Sequence, residues 1–191
     1  ALCVSGMLYA QIPANTGHVT VPVPMSAHDG CTVQVPVTKT VGPATLDLLE
    51  RALDFAKRRG CSSVLLNINT PGGSLQATRT IVEKILASPV PILCLISPAG
   101  GHAGSAGALI MQACHVTGAL EATNMGAATP ISSSGSLPED LRKKLIQDTV
   151  SWVRSLAEFR GRNAKFAEEM VVDAKSLGAE QARQAGGLDF V

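Results

Sequence analysis

The feature that most constrains the fold is a pattern that occurs twice, in which a short aliphatic run leads into a glycine-rich loop and then into a helical segment. Residues 64–68 and 92–96 are almost entirely apolar, as is typical of strands that are covered on both faces of a parallel sheet. The loops that follow them are N-T-P-G-G at 69–73 and a Gly/Ala/Pro segment at 97–104. Strands that alternate with helices predict an α/β fold with a largely parallel sheet flanked by helices.

Hydrophobic periodicity and turn residues divide the remaining chain into further elements. Helix 105–113 contains no charged residue and is expected to be buried on all sides. The Ser/Gly-rich segment 129–138 is predicted to be a mobile loop. We find no internal repeat, so residues 31–191 are predicted to form one domain. Predicted strands cover residues 32–37, 64–68, 92–96, 116–120 and 188–191, and predicted helices cover residues 43–59, 75–87, 105–113, 139–160, 164–174 and 179–184.

The first 30 residues differ in composition from the rest. Residues 1–10 are apolar and uncharged, and we interpret them as the end of a signal peptide with cleavage after Ala10, a short buried strand being the alternative. Residues 11–30 are rich in Pro, Gly and small polar residues, and the V-T-V-P-V-P run at 19–24 predicts an extended segment or an edge strand. The chain has no apolar stretch of about 18 residues or more, so we expect that it does not itself span a membrane.

Composition narrows the classes of function. Apolar residues make up 46% of the chain and charged residues 16%, which is typical of a folded domain. The formal net charge of +1 gives no electrostatic footprint for nucleic acid. Five cysteines are present, none with C-x-x-C spacing, so neither a zinc site nor a thioredoxin-type motif is predicted. Cys94 is predicted to be a core residue, and one disulfide, for example Cys31 to Cys61, is left open.

Both glycine-rich loops lie where ligands of α/β sheets bind, between the carboxyl end of a strand and a helix. Gly72 and Gly73 allow a turn with exposed N–H groups, which can hold an oxyanion. Ser105 begins a helix between the small residues Gly104 and Ala106, so its hydroxyl is open to a substrate and the Ala106 N–H lies beside it. Alone, the two loops also fit an ordinary turn and a tightly packed helix.

A nucleophilic serine requires a general base. His102 shares a loop with Ser105, but the tight turn makes alignment difficult, and a role in lining the pocket or capping the loop is its alternative. A lysine is the other candidate. Lys144 lies about 60° from the edge of the apolar stripe of helix 139–160, and it is nearer to the stripe than its neighbours Arg142 and Lys143. That stripe consists of Leu141, Leu145, Trp152, Leu156 and Phe159.

A lysine that is partly removed from water can be neutral and act as a base near neutral pH. Asp148, four residues after Lys144, could oppose this by pairing with it. A surface lysine with its stem packed on apolar neighbours is the plain alternative.

Four segments form a combination that is much more specific than any one of them. They are T-P-G-G at 70–73, A-G-S-A-G at 103–107, N-M-G-A-A-T-P-I at 124–131 and R-S-L-A-E-F-R-G-R-N-A-K-F-A-E-E at 154–169. In order and spacing they resemble the NfeD-like family of membrane-bound, Clp-class serine proteases, over about residues 32–191. The resemblance implies the Clp-protease/crotonase fold and a serine endopeptidase with a Ser-Lys dyad that needs no metal or cofactor.

The resemblance carries the family's site onto residues that the loops and the helix already suggest. The family's nucleophile falls on Ser105, and its lysine, ten residues before Arg154, falls on Lys144. Its paired glycines fall on Gly72 and Gly73, which with Ala106 complete the predicted oxyanion hole.

The chain departs from the family at two positions of the predicted site. Asn69 stands where the family usually has an acidic residue, and His102 stands where the residue before A-G-S is usually not histidine. Neither change removes a catalytic group. Residues 1–30 have no clear counterpart in the family.

The resemblance further implies the cellular setting. The family's peptidase domain lies outside the cytosol, it is followed by transmembrane helices and a small β-barrel domain, and its genes often accompany those of stomatin-like proteins. We therefore expect an extracytoplasmic domain of a membrane-anchored protease that forms a homodimer or higher homo-oligomer. Its expected substrate is a hydrophobic peptide, for example the tail of a stomatin-like protein.

Two other functions fit the same loops. A crotonase-type acyl-CoA enzyme uses the same oxyanion chemistry, but typically with a carboxylate base, and Glu121 is the single acid between residues 84 and 138. A catalytically silent module that binds a stomatin-like protein would carry the dyad without ever assembling it.

Overall fold

The computed structural model describes residues 7–11, 20–24, 30–132 and 138–191. The chain divides into two units, residues 1–30 and 31–191. In the first unit, β1 (Met7–Gln11) pairs antiparallel with β2 (Thr20–Pro24), so the strand expected near 19–24 is confirmed. Residues 1–6 lie outside the described residues, and the signal peptide stays a prediction.

The second unit alternates strands with helices along the chain. Its strands are β3 (Thr32–Val37), β4 (Ser63–Ile68), β5 (Ile92–Ile96), β6 (His102–Gly104), β7 (Val116–Ala119), β8 (Asn124–Gly126) and β9 (Ser176–Gly178). Its helices are α1 (Pro43–Arg59), α2 (Leu75–Leu86), α3 (Ala106–Ala113), α4 (Glu139–Phe159), α5 (Ala164–Val172) and α6 (Ala179–Gln184).

A parallel sheet in the strand order β3-β4-β5-β7 forms the centre of this unit. In its register, Leu66 of β4 lies between Val35 of β3 and Cys94 of β5, and all three side chains are buried. Burial on both faces explains why β4 and β5 are apolar along almost their whole length. The predicted α/β fold with a largely parallel sheet flanked by helices is confirmed.

Local sequence signals account for the helix ends. Pro43 occupies the first turn of α1, and Gly60 ends the helix in the left-handed conformation with φ 67°, which glycine adopts without steric cost. Ser74 caps α2 by accepting a hydrogen bond from the N–H of Ala77. Every residue of α3 is buried, as its uncharged sequence predicts.

A second, three-stranded sheet was not predicted. β6 pairs parallel with β8, and β8 pairs antiparallel with β9, so the segment 97–104 is not entirely a loop. The predicted strand at 188–191 is wrong. Phe190 makes a single isolated bridge to Gly118, through backbone hydrogen bonds with Thr117 and Ala119, and the Asp189 carboxylate also accepts the N–H of Thr117 at 2.7 Å.

Helix α4 packs through a different face from the predicted stripe. Leu141 and Phe159, at the ends of that stripe, are 51% and 70% exposed. Leu156 is the member of that stripe that is buried, and it lies at the edge of a buried face formed by Thr149, Val150, Val153, Leu156 and Ala157. Of the predicted mobile segment 129–138, residues 133–137 lie outside the described residues.

Two disulfides cross-link the second unit. One joins Cys31 to Cys61, and the other joins Cys94 of β5 to Cys114 at the end of α3. Cys94 is a core residue, as predicted. Within the described residues, no helix combines the length and the hydrophobicity that crossing a membrane requires.

Candidate active site

Ser105 lies at the junction of β6 and α3. Its N–H donates to the Gly126 carbonyl at 2.9 Å, and its own carbonyl accepts the N–H of Leu109 at 3.2 Å. Its φ of 47° lies in the left-handed region, where a residue with a Cβ is uncommon and often marks a functional turn. Among the described residues the hydroxyl has no hydrogen-bond partner, so it is free to meet a ligand.

The T-P-G-G loop lies directly alongside β6. The N–H of Thr70 donates to the His102 carbonyl at 2.8 Å, and the Thr70 carbonyl accepts the N–H of Gly104 at 2.9 Å. This short parallel bridge fixes the two glycine-rich loops side by side at the carboxyl end of the sheet. The two loops therefore lie at the same end of the sheet, as expected, and the functional roles of Ser105, Gly72 and Gly73 stay predictions.

Gly72 packs directly against Ser105. A Cβ built on it would lie 2.6 Å from the Ser105 Cβ and 3.1 Å from the Ser105 Oγ. Its φ of 125° is also open in practice to glycine alone. Gly73 is equally constrained, because a Cβ there would lie 2.1 Å from the Val41 carbonyl oxygen.

The backbone N–H groups around Ser105 are not equivalent. The N–H of Gly72 donates to the Thr70 Oγ1 at 3.1 Å, so it is already engaged. The N–H groups of Gly73 and Ala106 have no acceptor within the described part of the chain. Of the three predicted oxyanion donors, the N–H groups of Gly73 and Ala106 therefore remain. Gly72 instead allows the loop backbone to pack closely against Ser105.

A cleft of about 830 Å³ opens over these groups. Within the described residues, no charged side chain lines it. One wall continues the T-P-G-G loop into α2, and the opposite wall is the segment 127–131. The lining residues are Pro71, Gly73, Ser74, Leu75, Thr78, Ser105, Ala106, Leu109, Ala127, Ala128, Thr129, Pro130, Ile131, Leu145 and Ala174. Such a groove fits an extended apolar chain.

Lys144 is exposed and does not line the cleft, although the next residue, Leu145, does. At about 100° per residue, Lys144 lies about 180° around α4 from the buried Val153. The expectation that Lys144 turns toward the core is therefore wrong. The cause is that α4 packs on the face of Val153 and Thr149, whereas the predicted stripe was centred elsewhere.

The charged neighbours of Lys144 are engaged by other residues. Lys143 pairs with Glu139 at 2.7 Å, and Asp148 accepts a hydrogen bond from Arg79. The opposing pair between Asp148 and Lys144 is thus not formed. Within the described residues Lys144 makes no ion pair, and its amine is unpartnered.

His102 does not line the cleft. Its imidazole lies toward the position of Gly104, where a Cβ would meet its Cδ2 at 3.2 Å. Its backbone N–H donates to the Asn69 Oδ1 at 3.3 Å. Asn69 therefore supplies the acceptor that an acidic side chain could supply at the same place, which accounts for this departure from the family pattern.

Two residues that shape the site escaped the sequence analysis. Thr70 ties the two loops together, and Gly126 receives the Ser105 N–H. Both belong to the motifs T-P-G-G and N-M-G-A-A-T-P-I, but their roles depend on contacts between segments that are distant in the chain. Glu121, the acid considered for an acyl-CoA reaction, lines a different surface cavity.

Comparison with known proteins agrees with this geometry. Residues 32–188 match the family model described as NfeD1b, N-terminal domain. The chain is 32% identical over 150 residues to the membrane-bound protease PH1510 of Pyrococcus horikoshii, covering 77% of this chain and 34% of the relative. The chain thus spans about a third of that relative's length.

Two solved structures of the 1510-N membrane-bound stomatin-specific protease are also similar. A serine-to-alanine mutant has a TM-score of 0.79 at 28% identity, covering 86% of this chain and 80% of the other. A lysine-to-alanine mutant in complex with a substrate peptide has a TM-score of 0.78 at 28% identity, covering 85% and 75%. The expected Clp-class fold is confirmed, and the chain belongs to the NfeD1b N-terminal domain family.

Proposed function

We propose that the chain is a serine peptidase domain that cleaves peptide bonds with Ser105 as nucleophile and Lys144 as general base. One observation carries the proposal: in the described part of the chain, the Ser105 hydroxyl and the N–H groups of Gly73 and Ala106 have no hydrogen-bond partner, and all three residues line one apolar cleft. This is the arrangement that acyl transfer requires. Relatives named as proteases, with structures of serine and lysine mutants, support it.

In the proposed reaction, the Ser105 Oγ attacks the carbonyl carbon of the scissile peptide bond while its proton passes to the Lys144 Nζ. The carbonyl oxygen becomes an oxyanion that accepts hydrogen bonds from the N–H groups of Gly73 and Ala106. Collapse breaks the C–N bond, and the leaving amine takes the proton from Lys144. Water then attacks the acyl-enzyme by the same route, which releases the carboxylic acid and restores the Ser105 hydroxyl.

Lys144 has to reach the cleft for this chemistry. It is the immediate neighbour of Leu145, which lines the cleft, and it has no ion pair to break among the described residues. We propose that the Lys144 side chain reaches over Leu145 to Ser105 when a peptide occupies the cleft.

The lining of the cleft favours an uncharged, hydrophobic peptide as substrate. Leu75, Leu109 and Leu145 supply apolar surface, and Ala127 and Ala128 leave room for side chains. Because the similar solved structures are named stomatin-specific, we propose a hydrophobic segment of a stomatin-like protein as the natural substrate.

The cross-links support an oxidising compartment. Disulfides such as Cys31–Cys61 and Cys94–Cys114 persist in secreted and extracytoplasmic proteins. Together with the membrane-bound relative, they favour an extracytoplasmic domain of a membrane-anchored protein. We also propose a homodimer or higher homo-oligomer, since large apolar side chains such as Ile131 and Phe190 are exposed.

A catalytically silent binding module is the second candidate function. The exposed position of Lys144 favours it, because the described structure contains no contact between that amine and Ser105. The acyl-CoA alternative is less favoured, since Glu121 does not line the cleft that contains Ser105.

Labelling with a fluorophosphonate probe tests the proposal. The probe should modify Ser105 of the 191-residue chain, as mapped by mass spectrometry, and Ser105→Ala should remove the label. Lys144→Ala should slow labelling strongly, whereas Lys143→Ala should not. Absence of labelling together with retained binding of a hydrophobic peptide would favour the silent module, and binding of a CoA thioester would favour the acyl-CoA enzyme.

A further inference from the structure

Thr70 is the point at which the two loops of the site are joined. Its backbone bridges to β6 through the His102 carbonyl and the Gly104 N–H. Its side chain is fully buried, with no exposed surface. A buried threonine hydroxyl has to find hydrogen-bond partners, because leaving it unsatisfied is costly.

The Thr70 hydroxyl donates one hydrogen bond and accepts another. Its Oγ1 donates to the Lys39 carbonyl oxygen at 2.7 Å and accepts the N–H of Gly72 at 3.1 Å. The Gly72 carbonyl lies farther from the same hydroxyl, at 3.3 Å. A hydroxyl has one proton to donate, so it pins the Gly72 N–H while it is itself anchored to the segment before α1.

This hydrogen bond sets which backbone groups face the nucleophile. Since Gly72 donates to Thr70, its N–H is withdrawn from the site, and the N–H left without an acceptor in the described structure is that of Gly73. Rotation of this turn is not tolerated, because Gly72 already lies against Ser105.

The Thr70 methyl group packs on the helix that carries the nucleophile. A Cβ built on Gly107 would lie 2.7 Å from the Thr70 Cγ2. The methyl therefore fills the space that the missing side chain of Gly107 leaves on α3. The hydroxyl and the methyl have separate tasks, since one holds the turn and the other holds the helix.

We propose that Thr70 is a positioning residue of the proposed peptidase: its hydroxyl orients the Gly72-Gly73 turn so that the Gly73 N–H serves as the oxyanion donor. This inference rests on the proposed function, and it adds to that function a residue that does not touch the substrate. Its prediction is specific to the hydroxyl, because the methyl contributes to packing alone.

The test compares Thr70→Val, which keeps the shape and removes the hydroxyl, with Thr70→Ser, which keeps the hydroxyl. Thr117→Val is the matched control. The Thr117 hydroxyl is also buried, donates to the Asp189 Oδ2 at 3.0 Å and accepts the Asp189 N–H at 3.2 Å, but Thr117 does not line the cleft. If Thr70→Val does not fold, Thr70→Ala measured against Thr70→Ser isolates the same hydroxyl.

For cleavage of a fluorogenic hydrophobic peptide, Thr70→Val should lower kcat about 10²-fold, the effect of losing one oxyanion donor, with little change in KM. Thr70→Ser and Thr117→Val should keep kcat within about threefold of the parent chain, since neither loses an oxyanion donor. Equal kcat values for Thr70→Val and Thr117→Val would overturn the proposal, as would a Thr70→Ser variant as impaired as Thr70→Val.

Hydrogen exchange at the Gly72 amide tests, independently of activity, whether the Thr70 hydroxyl holds this N–H. The amide should be protected in the parent chain, in Thr70→Ser and in Thr117→Val, and it should exchange much faster in Thr70→Val. An inactive parent chain would refute the proposed function, and the exchange measurement would still support or overturn the role of Thr70. Unchanged protection in Thr70→Val would overturn that role.

Discussion

The two halves of the site are built in opposite ways. On the nucleophile side, backbone hydrogen bonds hold Ser105 and the T-P-G-G loop in place. Neighbouring atoms leave no room for a Cβ on Gly72 or Gly73. On the lysine side, Lys144 is an exposed side chain on the first part of α4 and has no partner among the described residues. The geometry of the proposed oxyanion hole is thus preformed, whereas placing the proposed base, Lys144, costs side-chain entropy that substrate binding has to offset.

The largest loss of activity is expected when the Lys144 side chain is changed. Lys144→Ala should lower kcat/KM for peptide cleavage by about 10²–10⁴-fold, because Ser105 then has no general base. Lys144→Arg should be almost as damaging, since a guanidinium remains protonated at any working pH. Steady-state kinetics on the hydrophobic peptide provides the measurement.

Lys143→Ala is the matched control for the lysine. It removes an exposed ion pair with Glu139, and such pairs contribute about 1 kcal/mol or less to stability, so activity should be nearly intact. Equal losses in the two lysine variants would refute the assignment of Lys144, because they would indicate general electrostatics or misfolding.

The next-largest loss of activity is expected when a methyl group is added on the nucleophile side of the site. Gly72→Ala should lower kcat/KM about 10²-fold, because its Cβ would overlap Ser105 and small displacements of a nucleophile are costly. Gly161→Ala is the control, since Gly161 also has a positive φ, 69°, but no atom lies within 4 Å of its Cβ position.

Gly161→Ala should cost about 1–2 kcal/mol of stability through backbone strain and leave the kinetics unchanged. Urea unfolding of both variants separates the two effects. If Gly72→Ala proved fully active, the nucleophile side would be more adaptable than its contacts indicate.

His102 tests whether the preformed side contains its own base. His102→Ala should keep activity within about tenfold, because the imidazole does not line the cleft and its loss removes no catalytic group. A loss of about 10⁴-fold in kcat, comparable to removing a member of a catalytic triad, would instead identify His102 as the base and make Lys144 dispensable.

The smallest effect concerns stability at the far end of α3. Burial and the positive charge of Arg160 lower the pKa of His115, whose Nδ1 accepts the N–H of Ile92 at 3.1 Å. The neutral form is therefore preferred in the folded state. Its contribution to stability is complete above the ordinary value of 6.5, and it is lost as the pH falls through the lowered pKa of the folded state.

Urea unfolding at pH 7.5 and at pH 5 measures this contribution. The parent chain should be less stable at the lower pH, and His115→Gln should reduce the difference. An identical pH dependence in the two proteins would show that His115 does not report on this end of the helix.

What the sequence predicts depends on whether a signal is local. The bounds of α1 follow from Pro43 and Gly60, which act within the helix itself. β6, β8 and β9 are three residues each, too short for any periodicity to be read. The disulfide between Cys94 and Cys114 was equally hidden, since pairing depends on the folded path of the chain.

The same distinction runs through the site. Ser105 and the two glycines stand out because small residues cluster around them in sequence. The face of α4 was mispredicted because Leu141 and Phe159 are apolar but exposed, whereas the buried Thr149 satisfies its hydroxyl within the helix by donating to the Leu145 carbonyl. Hydrophobicity alone does not identify the face that a neighbouring helix covers.

The tight glycine packing at the nucleophile has a genetic consequence. Every missense change in a glycine codon adds at least a Cβ, and at Gly73 or Gly126 that atom would lie 2.1 Å from the backbone carbonyl oxygen of Val41 or Lys175. No tolerated amino-acid change is therefore one mutational step away at these codons. A saturation library of this gene should be depleted of variants there, whereas partly exposed side chains that line the cleft, such as Leu75 and Leu145, can be replaced and so can change substrate preference.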